Sequence, residues 1–289
     1  MRYFIRLSYS GAGFHGWQIQ PRHESVQAAL EKALATLLRT KTSVTGAGRT
    51  DTGVNATGYV AHFDADRLTD AKDLAYKLNA ILPPQIAVLE IGPASDDFHA
   101  RFSASRREYS YFLHRVKDPF LDSFSYQCAY PSLDFGLMNE AASLLPGRHD
   151  FSCFEKTGAD SRTSICTVFS AGWKPYAPSV SAWEPFPEGG EPRYWKFEIA
   201  ADRFLRNMVR AVTGTLLEVG RGKRSLESFS SLILPPPADA DPAGHGPAAG
   251  KETAAGKGPA AGKDAGLPAR CAAGESVPGK ALFLTRVEY

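Results

Sequence analysis

One glycine-flanked loop holds the residues best suited to chemistry. Residues 46–56 read GAGRTDTGVNA, so Arg49 precedes Asp51 by two positions. A carboxylate can act as a nucleophile or as a base, and a guanidinium beside it would favour its ionised form. The glycine spacing matches neither a P-loop nor a dinucleotide-binding fingerprint. The alternative interpretation is a plain turn tied down by an Arg–Asp pair, because glycine and aspartate are common in turns for conformational reasons.

Two groups of basic residues indicate a surface that binds a polyanion. Arg203, Arg206 and Arg210 recur at i, i+3 and i+7, which predicts one face of a helix, and Arg221, Lys223 and Arg224 follow them. The second group mixes arginines with aromatic residues, namely Arg101, Arg106, Arg107 and Arg115 with Phe102, Tyr109 and Tyr111. Basic side chains contact phosphates, and aromatic rings stack on bases. For the helical stripe alone, a solvated charged face is the alternative.

Hydrophobic periodicity predicts the elements that must position these residues. Alternating β-formers predict strands over 3–9, 59–64, 86–91, 109–116, 165–173, 194–200 and 282–288. Apolar stripes at helical spacing predict helices over 25–38, 70–81, 133–145 and 204–219, with Ser25 and Asp70 as caps. The mixed order predicts two α+β halves that meet near Ala104, each with helices on one face of its sheet. The other faces would be free to bind a large partner.

Composition excludes several classes of protein. The chain has 289 residues and a formal net charge of only +2, so a basic surface must come from the placement of residues. Its four cysteines form no C-x-x-C pair, which favours reduced thiols over disulfides or a metal site. No apolar run approaches the ~20 residues of a membrane span, so we expect a soluble cytoplasmic protein. The segment at about 236–274 is dominated by Ala, Gly, Pro and Lys, which predicts a disordered insertion.

Six motifs spread over almost the whole chain resemble the TruA family of tRNA pseudouridine synthases. The segment GRTDTGVNATGYVAHF at 48–63 resembles the family's catalytic motif, with Asn55 where the family usually has histidine. YSGAGFHGWQIQP near the N-terminus resembles a second motif, with Ser10 in place of aspartate. The other four follow in the family's order: FHARFSASRREYSYFL, GRHDFSCF, FLRNMVRAVTGTLLEVGRGK and RCAAGESVPGKALFLTRVEY.

The resemblance implies a fold, a reaction and a partner. The fold is α+β, with two ferredoxin-like or RRM-like halves at 1–104 and 105–289, helices on one side of their antiparallel-rich sheets and the RNA cleft on the other. The reaction converts uridine to pseudouridine at positions 38, 39 and 40 of the tRNA anticodon stem-loop. The family acts as a homodimer and uses neither a metal nor an organic cofactor.

The same resemblance assigns roles to individual residues. Asp51 matches the catalytic aspartate, Arg210 the arginine that pairs with it, and Tyr109 the tyrosine that stacks on the target base. The remaining candidates are Arg49, which would assist Asp51, and Arg107, Arg203 and Arg206, which would bind RNA. Two alternatives stay open: a tRNA-binding module or chaperone without catalysis, and a glycosidase. The glycosidase ranks lower because that chemistry uses a pair of carboxylates, whereas the loop offers Asp51 alone.

Overall fold

The computed structural model describes residues 1–66, 68, 70–158, 161–237 and 273–289. The insertion predicted at about 236–274 lies almost entirely outside the described residues. Within them, the chain has a mixed α+β fold built on one large, mainly antiparallel sheet.

Ten strands form this sheet in the described part of the chain. They are β1 (Arg2–Tyr9), β2 (Val44–Gly46), β3 (Asn55–Asp64), β4 (Ile86–Pro93), β5 (Arg106–His114), β6 (Tyr126–Gln127), β7 (Gly147–Asp150), β8 (Ile165–Pro175), β9 (Tyr194–Ala201) and β10 (Leu282–Glu288). All seven predicted strands are present, but β3 begins at Asn55 rather than at residue 59. The sequence analysis missed β2, β6 and β7, which are two to four residues long and too short to show a period.

The strand order places the C-terminal strand between the two parts of the sheet. The main path is β4-β1-β3-β10-β5-β9-β8-β7, with β2 paired to β3 and β6 paired to β5. The C-terminal strand β10 runs parallel to β3 through Phe283 and Leu284, and antiparallel to β5. The last strand therefore connects the part of the sheet made by residues 2–93 to the part made by residues 106–201.

Five helices accompany the sheet in the described residues: α1 (Val26–Leu38), α2 (Ala71–Ile81), α3 (Phe135–Ala142), α4 (Met208–Gly220) and α5 (Leu226–Ser230). The predicted caps are confirmed. The Ser25 hydroxyl accepts a hydrogen bond from the Ala28 amide, and the Asp70 carboxylate accepts two from the first turn of α2. Each satisfies amides that the helix itself leaves without a partner.

The predicted start of α4 is wrong, and the error moves two candidate residues. Asn207 has a φ of 66°, in the left-handed region, so the helix begins at Met208 instead of residue 204. Arg203 and Arg206 therefore lie in the preceding loop and do not share a helix face with Arg210. Asparagine tolerates the left-handed conformation better than most residues, which explains why the chain breaks there.

The helices pack on one face of the sheet in two hydrophobic clusters. The first cluster joins β1 to α1 and α2 and includes Leu7, Leu30 and Leu78. The second joins β5 to α3 and α4 and includes Tyr111, Met138, Phe197 and Val212. Residues that pair across neighbouring strands share a face, as Tyr111 does with Phe197. The two clusters thus cover the same face of the sheet on either side of β10.

Tyr109 marks the junction between the two clusters, because it packs against both. It pairs with Leu284 on β10 and Ile199 on β9, whose side chains lie on the helix-bearing face. The predicted site therefore does not face away from the helices. The expectation that the cleft lies on the free face of the sheet is wrong for this residue.

Candidate active site

The loop that carries Asp51 is anchored by aromatic packing at its first residue. It connects β2 to β3 and starts at Gly46, where a Cβ atom would lie 2.6 Å from the Trp17 ring and closer still to the Tyr59 hydroxyl. The rings of Trp17 and Tyr59 stack with centroids 4.1 Å apart, and both are buried. The Tyr59 hydroxyl donates a hydrogen bond to the Gly48 carbonyl. Only glycine fits this contact, which holds the loop close to the sheet.

The residue before Asp51 is held from three sides. The Trp17 amide donates to the Thr50 carbonyl at 3.3 Å, and the Tyr9 hydroxyl lies 2.9 Å from Thr50 Oγ1. Gly16 has a φ of 84°, and a Cβ atom there would lie only 2.2 Å from the Thr50 carbonyl oxygen. These contacts restrict the backbone on which Asp51 is carried.

Asn55 fastens the end of the same loop, and sequence reasoning assigned it no role. Its side chain is 2% exposed. The Oδ1 atom accepts from the Gly11 amide at 2.9 Å, while Nδ2 donates to the carbonyls of Lys280 at 2.7 Å and Leu282 at 3.5 Å. The loop is thereby tied both to the segment after β1 and to β10. The departure from the family's usual histidine was the one signal at this position.

The structure brings Asp51 and Arg210 together although 159 residues separate them. Arg210 Nη1 lies 3.2 Å from Asp51 Oδ2, and each side chain is 23% exposed. Arg210 Nε donates to the Val277 carbonyl at 2.8 Å, and the Val277 amide donates back to the Arg210 carbonyl at 3.3 Å. The guanidinium is thus aimed at the carboxylate by a second, independent hydrogen bond.

Arg49 does not take the position that its spacing suggested. Among the described residues, the ion pair of Asp51 is with Arg210, and Arg49 is exposed and makes no ion pair. Its charge instead lowers the pKa of Arg101, which lies in the turn between β4 and β5. The predicted Arg49–Asp51 pair is therefore replaced by a longer-range one.

Tyr109 lies beside the ion pair in a largely apolar setting. Its ring makes an edge-to-face contact with Phe204, with centroids 5.1 Å apart and an interplanar angle of 87°. Burial raises the pKa of Tyr109 to about 12, while the Arg107 charge lowers it and the Asp51 carboxylate raises it. The phenol is therefore uncharged at neutral pH. Phe204, which sets the tilt of this ring, was not predicted to belong to the site.

Arg107 is a structural residue rather than a free cation, which corrects its predicted role in binding RNA. Its guanidinium makes five hydrogen bonds to the carbonyls of Ala47, Arg101, Ala104 and Asp202. A guanidinium has five N–H donors, so none is left for a ligand. Burial is the main cause that lowers the pKa of Arg107. The residue joins the loop after β2, the turn before β5 and the loop after β9.

The loop before α4 carries the two remaining candidates. Asp202 Oδ1 accepts from the amides of Thr167 at 2.8 Å and Arg203 at 2.6 Å, which fixes the start of this loop. The Arg203 side chain lies close enough to Arg101 to affect its pKa. Arg206 is exposed, and its carbonyl accepts from the Lys156 amide. Arg203 therefore joins a basic cluster with Arg101, whereas no contact places Arg206 there.

The described residues contain neither a cluster of metal ligands nor a membrane-spanning helix. No group of three or more His, Cys, Asp or Glu side chains there is arranged to hold a metal ion. Within the same residues, no helix is both long enough and apolar enough to cross a membrane.

Comparison with known proteins defines the class and then the family. A family model described as tRNA pseudouridine synthase matches residues 141–245, which include β7, β8, β9 and α4 with Arg210. The chain is 44% identical over 288 residues to tRNA pseudouridine synthase A of Bacteroides thetaiotaomicron, covering 100% of this chain and 90% of the relative. The Bacteroides fragilis protein of that name is 43% identical, covering 100% and 96%. That of Bacillus subtilis is 38% identical, covering 81% and 90%.

The three relatives match 81–100% of this chain, and the matches cover 90–96% of each relative. The chain therefore belongs to the tRNA pseudouridine synthase A family, also called the TruA family, and is an isomerase that acts on tRNA.

Proposed function

We propose that this chain converts uridines 38, 39 and 40 of the tRNA anticodon stem-loop to pseudouridine, with Asp51 as the catalytic residue. One observation carries the proposal: the Asp51 carboxylate and the Arg210 guanidinium meet 3.2 Å apart near Tyr109, at the junction of the two hydrophobic clusters. A partly buried carboxylate that is paired with a guanidinium beside an uncharged phenol can hold a flipped-out base, whereas a structural turn would need neither the phenol nor a partner 159 residues away.

The conversion of uridine to pseudouridine requires one ionised carboxylate, which we assign to Asp51. The bond between uracil N1 and sugar C1′ breaks and leaves its electron pair on N1. The base turns, C5 bonds to C1′ and loses its proton, and N1 takes up a proton, so the product is an isomer of the substrate. Asp51 either attacks the sugar or removes a sugar proton. The reaction has no net oxidation, reduction or hydrolysis.

The surrounding residues divide the remaining work. Arg210 orients the Asp51 carboxylate, because its own position is fixed by the Val277 carbonyl. Tyr109 stacks on the uracil and limits its escape once it is detached from the sugar. The phenol stays protonated at neutral pH, so it brings no negative charge near the base. Water exclusion by the apolar packing around Phe204 would strengthen the electrostatic contacts.

The substrate must lose a stacking interaction before it can reach Asp51. Extruding a base costs a few kcal/mol, and contacts of arginines with the neighbouring phosphates offset this cost. Arg49 and Arg203 are the members of the predicted set that suit this role. We also propose the ferredoxin-like plan of each half, a homodimer as the active form and a cytoplasmic location, all by resemblance to the family.

Modification of unmodified tRNA tests the proposal. Wild type and Asp51→Asn are incubated with the transcript, and pseudouridine is mapped along the anticodon arm. We expect product at uridines 38 to 40 with wild type and none with Asp51→Asn. Asp64→Asn is the matched control, since Asp64 also pairs with an arginine, Arg2, but lies at the far end of β3 with its side chain 62% exposed.

Each outcome bears on a different part of the proposal. A wild type that yields no pseudouridine in the anticodon arm refutes the proposed reaction. An Asp51→Asn variant as active as Asp64→Asn refutes the assignment of the catalytic residue.

A further inference from the structure

An exposed phenylalanine stands on a rigid turn beside the candidate active site. Phe102 is 70% exposed and lies between β4 and β5. His99 Nδ1 accepts hydrogen bonds from the amides of Arg101 at 3.2 Å and Phe102 at 3.3 Å. The His99 amide donates to Ser103 Oγ at 3.0 Å, and the Ser103 amide donates to the His99 carbonyl at 2.8 Å. Four hydrogen bonds thus define the backbone of a turn whose aromatic side chain contributes little to the core.

The turn is also held from the protein side, and its ring is oriented. Arg107 Nη2 donates to the Arg101 carbonyl at 2.6 Å. The rings of His99 and Phe102 lie 4.4 Å apart and 35° from parallel, and the Arg101 guanidinium lies 5.5 Å from the Phe102 ring centre. Phe102 therefore presents an oriented aromatic surface to solvent.

Three segments that carry an arginine meet at this turn, because the Arg107 guanidinium donates to the carbonyls of Ala47, Arg101 and Asp202. Arg49 comes from the loop that carries Asp51, Arg101 from the turn itself, and Arg203 from the loop before α4. After burial, the charges of Arg49 and Arg203 are the largest causes that lower the pKa of Arg101, so each of them repels the Arg101 guanidinium. None of the three makes an ion pair with a described carboxylate. A phosphate group between them would relieve this repulsion.

We infer that Phe102 stacks on a nucleobase next to the target uridine, while Arg49, Arg101 and Arg203 hold the phosphates beside that base. The inference rests on the proposed function and adds to it the residue that positions the flanking nucleotide. Arg49 lies two residues from Asp51, and Arg203 precedes Phe204, which packs on Tyr109. The stacking surface is thus adjacent to the place where the uridine is extruded.

Stacking makes a specific demand on the side chain at position 102. The contribution of a stacked aromatic is large for Trp and Phe, smaller for an aliphatic residue of similar size, and lost in alanine. It depends little on which base is present, since every base offers a π face. Simple hydrophobic contact would instead let leucine replace phenylalanine.

The contribution of stacking is measured as the affinity for the anticodon stem-loop. All variants also carry Asp51→Asn, so that the RNA is bound but not converted. By fluorescence anisotropy, Phe102→Ala should bind about tenfold more weakly, Phe102→Trp at least as tightly, and Phe102→Leu in between. Tyr76→Ala is the matched control, because Tyr76 is 75% exposed on the outer helix α2 and should have no effect. Leucine binding as well as phenylalanine would refute stacking.

An abasic scan identifies the base that Phe102 contacts. Each nucleotide next to the target uridine is replaced in turn by an abasic one, and binding is measured with and without Phe102→Ala. At one position, the abasic change should weaken binding to the protein that keeps Phe102 about tenfold. The same change should not weaken binding to Phe102→Ala any further. If the two changes are additive at every position, Phe102 contacts no base and the inference is wrong.

The arginines have their own readout. Arg101→Gln should lower the slope of log Kd against log salt by about 0.7, the value expected for one phosphate contact to single-stranded RNA. An unchanged slope would show that Arg101 does not contact a phosphate.

Pseudouridine formation by wild type is followed in parallel. If wild type is inactive, the proposed function fails, whereas an active wild type with a normal Phe102→Ala variant refutes only the present inference.

Discussion

Replacing Arg210 tests most directly whether the ion pair at the junction of the two clusters drives the chemistry. Arg210 Nη1 lies 3.2 Å from Asp51 Oδ2. Two unit charges at that distance interact by about 5 kcal/mol at an effective dielectric constant of about 20, and by about 1 kcal/mol at about 80. Each side chain is 23% exposed, so the pair lies between these limits and we take about 3 kcal/mol.

That energy sets the expected loss of rate. With tenfold for every 1.4 kcal/mol, and with the whole interaction needed to reach the transition state, Arg210→Gln should slow the chemical step by up to about 150-fold. Arg210→Lys keeps the charge but cannot donate to both Asp51 and the Val277 carbonyl, so it should lose only about tenfold. The free energy of unfolding should fall by at most the same amount, about 3 kcal/mol, because the same ion pair is removed from the folded state.

Single-turnover kinetics separates these effects from binding. With enzyme in excess over tRNA labelled with tritium at uracil C5, release of tritium reports the step in which C5 bonds to C1′. The affinity for tRNA is measured separately for each variant. If folded Arg210→Gln reacts within about threefold of wild type, the ion pair does not support catalysis and the reasoning fails.

Three other predictions concern the scaffold. Asn55→Ala removes three hydrogen bonds from a side chain that is 2% exposed, so the free energy of unfolding in urea should fall by about 2–3 kcal/mol, and an unchanged value would contradict its role as a tie. Gly16→Ala places a Cβ atom 2.2 Å from the Thr50 carbonyl oxygen and should slow single-turnover reaction far more than Gly13→Ala, which has a similar φ of 82° but nothing within 4 Å. Equal rates for the two variants would show that the contact with Thr50 is unimportant. Burial lowers the pKa of His62 to about 4 from about 6.5 in the unfolded chain. The unfolded chain therefore binds the proton first as the pH falls, and about 3 kcal/mol of stability present above pH 6.5 should be lost by about pH 4. Urea midpoints against pH should be flatter for His62→Asn, and the same pH dependence in both proteins would overturn this assignment.

Local patterns predicted the elements well where the determinants are themselves local. The alternation of 282–288 predicted the bounds of β10, and Ser25 and Asp70 predicted the starts of two helices. The start of α4 was missed because a helical stripe continues through 204–207, while Asn207 adopts a left-handed conformation. Periodicity predicts which residues share one face of a helix. It does not predict the backbone angle of one residue, such as the positive φ of Asn207.

The arginines show where spacing stops being informative. Arg49 and Asp51 are close in sequence but do not pair, whereas Arg210 reaches Asp51 from 159 residues away. Arg107 looked like a ligand for phosphate, yet backbone carbonyls occupy all its donors. A guanidinium has the same sequence signal whether it faces RNA or the protein interior, and only the partners that the fold supplies decide between the two.

By itself, the sequence determined the family, the α+β class, most strand and helix bounds, and the identity of Asp51, Tyr109 and Arg210 as candidates. Tertiary structure alone decided that β10 joins the two parts of the sheet, that the site lies on the helix-bearing face, and that backbone carbonyls occupy the donors of Arg107. The physical reason is that motifs and periodicity record the chemistry and packing of neighbours along the chain. Pairing between strands and between distant charges depends on contacts that exist only once the chain has folded.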